Sequence, residues 1–144
     1  MTTKIRRSAG TKTLSDVLLS ALRGRRFSTE QDLADLREGT TLKVLCMSTT
    51  LGTVKMLSVG KGRKIPHLSS GHLLLAADRI TWQNKASNEI VAVQGPFALT
   101  PSEKKTAHWK FARFDLVAAG QQHVVVIPKA DVALVTQVLE AAGS

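Results

Sequence analysis

The chain has 144 residues, with 20 Lys and Arg against 11 Asp and Glu, which leaves a net charge of +9 at pH 7. That length suits one domain with a real core and no need of covalent staples, and the single cysteine, Cys46, excludes an internal disulfide or a cysteine-rich zinc site. Aromatic residues are few, four Phe, two Trp and no Tyr, so the core has to be built from Leu, Val and Ala.

Charge and pattern divide the chain at the start. Residues 1–26 carry seven cations (Lys4, Arg6, Arg7, Lys12, Arg23, Arg25 and Arg26) against Asp16 alone. Residues 1–12 show no periodicity and read as a flexible basic arm. The next stretch, 13–40, reads as a helical extension of two short helices. Leu14, Val17, Leu18, Ala21 and Leu22 share one helical face, with Thr13 as cap and Gly24 as stop. Ser28-Thr29-Glu30-Gln31 is a capping box that opens a second helix through Leu33 and Leu36. Its acids, Glu30, Asp32, Asp35 and Glu38, read as a solvated face beside the helix dipole. An Arg-rich, acid-poor start also has the composition of an organellar transit peptide; the arm-plus-helix reading is preferred, and a cytoplasmic location is expected.

From residue 41 the period drops to two. Thr41–Ser48 reads as a strand, followed by Thr53–Val59, the basic loop Gly60–Lys64, and a pair of strands, His72–Ala76 and Arg79–Gln83, joined at Ala77-Asp78. Glu89–Gln94 is a further strand, Gly95-Pro96 interrupts it, and Phe97–Leu99 continues it. The stretch from His108 to Ala118 alternates, and Val124–Ile127 reads as a strand buried on both faces and ended by Pro128. Residues 129–142 then form an amphipathic helix with the stripe Val132, Val135, Val138, Leu139 and Ala142, and Asp131 complements its dipole. About seven short strands and one terminal helix predict an α+β, mainly β domain over residues 41–144. Its antiparallel sheet should be a barrel or strongly curled, because one helix covers only one mouth or side.

The stretch Gly71-His72-Leu73-Leu74-Leu75-Ala76-Ala77-Asp78-Arg79-Ile80-Thr81-Trp82 resembles the G-x-L-x-L-T-x-D-R-L-x-W hairpin of bacterial pleckstrin-homology-like (PH-like) domains. The closing strand and helix, Val124–Ile127 followed by Pro128-Lys129-Ala130-Asp131-Val132, is similar to the end of that fold. The resemblance spans about Thr41–Ala142 and extends to actinobacterial PH-like proteins of unassigned function. It implies a rigid barrel whose loops bind partners. Phosphoinositide-binding PH domains carry a basic loop between their first two strands. Here that loop would be Ser48–Gly52, which holds no Lys or Arg, and the basic loop Lys61–Lys64 would lie one connection later. Fold likeness therefore does not carry lipid binding with it, and function has to come from the site.

Catalytic signatures are weak. Gly60-Lys61-Gly62-Arg63-Lys64 fails the phosphate-loop and dinucleotide spacings and reads as a solvated basic hairpin tip. His67, His72, His108 and His123 lack metal-site spacing, Cys46 reads as a small buried hydrophobe, and no Gly-x-Ser-x-Gly elbow exists. The expectation is a non-enzymatic binding or adaptor module, without metal or cofactor, that recognises an acidic partner (protein, peptide or headgroup) through Lys61, Arg63, Lys64 and Arg79. The alternative is nonspecific nucleic-acid or membrane-surface contact by the arm and its neighbours Arg6, Arg7, Arg23, Arg25 and Arg26.

Overall fold

A computed structural model describes residues 5–13, 18, 22, 28–52, 56–58, 60–103 and 109–143. In chain order its elements are β1 (Ile5–Arg7), α1 (Thr29–Arg37), β2 (Thr41–Ser48), β3 (Met56–Ser58), β4 (Lys64–Pro66), β5 (Ser69–Leu75), β6 (Ile80–Asn84), β7 (Ile90–Ala92), β8 (Phe97–Pro101), β9 (Phe111–Ala118), β10 (Gln121–Pro128), a 3-10 turn at Lys129–Asp131, and α2 (Val132–Gly143). The main sheet runs β7-β6-β5-β2-β10-β9-β8, antiparallel throughout. It curls into a half-barrel with α2 packed against β8.

β2 is the hinge of this topology. Its length pairs with β5, while its last residues, Met47 and Ser48, pair with Val126 and Val125 of β10. Two meanders, β2-β5-β6-β7 and β8-β9-β10, are thereby joined edge to edge. The two outer edges, β7 and β8, are neighbours in the chain and bend around Gly95-Pro96, a cis peptide bond.

Strict alternation builds the core. Leu42, Val44 and Cys46 of β2, Leu73 and Leu75 of β5, and Ile80 and Trp82 of β6 all point inward. α2 adds Leu134, Val135, Val138 and Leu139. The stripe expected from the sequence omits Leu134, which stands one helical turn before Val138 and is buried with it, while Ala142 is exposed.

Two sequence expectations are corrected and one is met in part. Residues 5–11 are not a loose arm. β1 pairs parallel to β2 (Ile5↔Thr41, Arg6↔Leu42, Arg7↔Lys43), and the Ser8 amide extends the ladder to the Lys43 carbonyl. Of the two expected N-terminal helices, the capping-box helix is present, with the Gln31 amide donating to Ser28 Oγ. The other lies outside the described residues apart from Leu18 and Leu22, both exposed. The connection between β2 and β5 is also longer than read. The strands β3 and β4 form a separate two-stranded ribbon within it, so the basic loop belongs to the link between the first two strands of the main meander.

α1 packs on α2 and β2 and gives Leu36 to the core. No helix among the described residues is long and apolar enough to cross a membrane.

Candidate functional site

The β3–β4 ribbon carries the sequence-predicted site. Leu57 faces Ile65 across it, and Ser58 faces Lys64. At the tip the Arg63 amide donates to the Gly60 carbonyl at 2.9 Å. Gly60 (φ 77°) and Gly62 (φ 73°) take the left-handed backbone that this tight turn needs. The turn throws Lys61, Arg63 and Lys64 into solvent, where none of the three side chains has a hydrogen bond or ion pair among the described residues. No acid occurs in the sequence from Gly39 to Ala77, so the ribbon and its flanking strands supply no counter-charge of their own. Met56 and Ile65 on the ribbon are also exposed.

Arg79 does not join this group. It sits in the β5–β6 turn, at the opposite end of β5 from the point where the ribbon enters the sheet. Seven strand residues span about 20 Å. Closeness in sequence to the hairpin had suggested a cluster that the sheet keeps apart. Arg79 instead borders a cleft of about 540 Å³ with Ile80, Val93, Phe97 and Ala142.

The alternative site is changed more deeply. Arg6 is engaged inside the fold: Nη2 lies 2.7 Å from both Asp32 Oδ1 and Asp35 Oδ2. Asp32, expected on a solvated face, is 0% exposed. It also accepts the Ala9 amide at 2.9 Å. Asp131 takes the rest of the segment, accepting the Gly10 amide at 2.7 Å and the Thr11 hydroxyl at 2.9 Å, and Thr11 Oγ1 accepts in turn from the Leu45 amide. Two buried carboxylates thus fasten the N-terminal strand, which takes Arg6 out of any surface contact. Arg7 lies at the sheet beside Lys43. Arg23, Arg25 and Arg26 lie outside the described residues.

Burial pushes the Asp131 carboxyl above its ordinary value and the nearby Asp32 adds to this, while the Gly10 amide and the Ser8 and Thr11 hydroxyls pull it back. A raised folded-state pKa contributes stability that is complete below the unfolded value and is lost as pH rises through the folded one. Asp131→Asn keeps the size and an acceptor for Gly10 without the charge. Its unfolding free energy relative to the parent is therefore expected to improve as pH rises from about 4 toward neutrality. Denaturant titrations at several pH values read this directly, and a gap that stays flat or moves the other way refutes the assignment.

The remaining candidates are chemically quiet. Burial pushes the Cys46 thiol up to about 12, so it stays a protonated hydrophobe at neutral pH. A second cleft, about 710 Å³, is bordered by Leu51, Glu89, Val91, Gln121 and His123. His123 Nδ1 bonds with Thr50 Oγ1 at 2.9 Å, and burial lowers its pKa. With Glu89 and His123 as its ionisable groups, this cleft offers no fixed cation to an anion. Among the described residues no group of His, Cys, Asp and Glu is placed to hold a metal ion.

Compared with known proteins, the chain matches no family model, no curated protein and no solved structure.

Proposed function

We propose that the protein is a non-enzymatic, PH-like interaction module that takes an acidic partner (protein, peptide or headgroup) on the tip of the β3–β4 ribbon. The observation that carries this reading is the set Lys61, Arg63 and Lys64, exposed on a ribbon that stands off the main sheet and without an internal counter-charge among the described residues. A fold has little structural use for three neighbouring unpaired cations, and such a cluster attracts anions. The PH-like part of the reading draws support from the strand succession: a four-strand meander, a three-strand meander closing on its first strand, and a terminal helix. The ribbon's place in the first connection of that meander is where the resemblance puts a basic loop. The nucleic-acid alternative through the N-terminal arm is weakened by the engagement of Arg6 with Asp32 and Asp35.

The test is charge reversal, Lys61→Glu with Arg63→Glu and Lys64→Glu. Binding to a Glu-rich peptide, or to phosphatidylcholine vesicles containing phosphatidylserine, is expected to fall about tenfold or more. The melting temperature should not move, since exposed charges of this kind contribute little to stability. Unchanged binding to both probes discards the site.

A further inference from the structure

Four strands lying side by side, β1, β2, β5 and β6, contain no acid at all. Their inward residues make the core, so the alternate set points outward. The pairing register then fixes the neighbours on that outer face. Arg7 sits beside Lys43, Lys43 beside Leu74, Leu45 beside His72, and His72 beside Gln83. Lys85, just past β6, donates its amide to the Ser70 carbonyl, which places it diagonally from His72. The result is a centre of Leu45, Leu74 and His72, half-buried, with Arg7, Lys43 and Lys85 around it. The electrostatics agree with this map. Burial first, then the charges of Lys43, Arg7 and Lys85, hold His72 below its ordinary pKa.

An apolar centre inside a charged rim is the anatomy of a protein interface. A nucleic-acid backbone would gain nothing from Leu45 and Leu74, and the outward residues of these strands include no Phe, Tyr or Trp on which a base could stack. The usual cover for an open sheet face is a helix. The chain's own apolar stripe, Leu14 to Leu22, is followed by Arg23, Arg25 and Arg26 and would bring like charge. We propose that the outer face of β1-β2-β5-β6 docks an acidic amphipathic helix of a partner protein, with the helix's apolar stripe on Leu45 and Leu74 and its carboxylates toward Lys43 and Lys85. The ribbon is a separate two-stranded sheet, so the two sites can be tested with separate variants.

Three probes test it against the full chain: a synthetic helical peptide with Leu on one face and Glu flanking it, the same peptide with Ser replacing Leu, and a mixed-sequence DNA duplex. The Leu/Glu peptide is expected to bind the parent protein and the Lys61→Glu, Arg63→Glu, Lys64→Glu variant alike. It should lose about tenfold or more on Lys43→Glu with Lys85→Glu. Its binding should also move the His72 ring resonances in an NMR titration. The Ser peptide should bind clearly more weakly. If the double Glu variant fails to fold, Lys43→Gln with Lys85→Gln takes its place and should show a smaller loss of the same kind. The proposal is overturned if the Leu/Glu peptide does not bind or binds no better than the Ser peptide. It is also overturned if the peptide's affinity survives both double variants, or if the duplex binds more tightly through the same lysines. Loss on the ribbon-tip variant alone would overturn it while supporting the tip as the site.

Discussion

Asp32→Ala is expected to cost about 3 kcal/mol of folding stability, because it removes one partner from a buried ion pair and strands a backbone donor. The Asp32 side chain is fully buried, 2.7 Å from Arg6 Nη2, and accepts the Ala9 amide at 2.9 Å. Truncation leaves that amide without its acceptor. Arg6 keeps Asp35, with Nε donating at 2.9 Å, which holds the loss toward the lower end for a broken buried pair. Denaturant unfolding gives the magnitude, and amide hydrogen exchange gives the place. Protection over Ile5–Ala9 should drop before that of the inner strands β2 and β5, since β1 is paired on one side only and Asp32 holds its end. Glu30→Ala, an exposed change on the same helix, should stay within about 0.5 kcal/mol. Equal effects of the two substitutions would mean that Asp32 does not fasten the segment.

The same residues show where sequence reading works and where it stops. The strands β2, β5 and β6 were legible because each carries its burial in its own alternation, in β2 Leu42, Val44 and Cys46 inward and Lys43, Leu45 and Met47 outward, and β10 was legible from its unbroken apolar run. The terminal helix was legible from its apolar stripe, and the capping box from four consecutive residues, Ser28 to Gln31. The N-terminal strand was not, because nothing in residues 5–11 is periodic. Its anchors, Asp32 and Asp131, act across 23 and 121 positions of sequence and look like ordinary helix-start acids. The grouping of Arg79 with Lys61, Arg63 and Lys64 failed for the converse reason: they are near in sequence, and β5 keeps them apart. The cationic rim of Arg7, Lys43 and Lys85 was hidden differently. Each is unremarkable alone, and only the register of three strand pairings, including an unsuspected parallel one, brings them around His72.

The second large effect is expected at Trp82, where Trp82→Ala should cost about 4 kcal/mol. Its indole is 0% exposed, the largest fully buried side chain among the described residues, and lies opposite Leu73 on the sheet's inner face. The ring is also one of two reasons for a glycine on the facing strand. A Cβ placed at Gly71 would stand 2.7 Å from two atoms of the indole and would also meet the Gln83 carbonyl. Gly71→Ala in the parent is therefore expected to cost about 2 kcal/mol by overpacking. In the Trp82→Ala background the ring is gone and the carbonyl remains, so the Gly71→Ala penalty should shrink without vanishing, and the two changes should fall short of additivity. Trp82→Phe separates packing from polarity. It keeps a ring over Gly71 and removes Nε1, a buried donor with no partner among the described residues, so it should cost far less than Ala. Strict additivity of Gly71→Ala and Trp82→Ala would show that the ring does not dictate the glycine. The Gly-to-Trp spacing in the motif Gly71 to Trp82 would then be a pattern without a contact behind it.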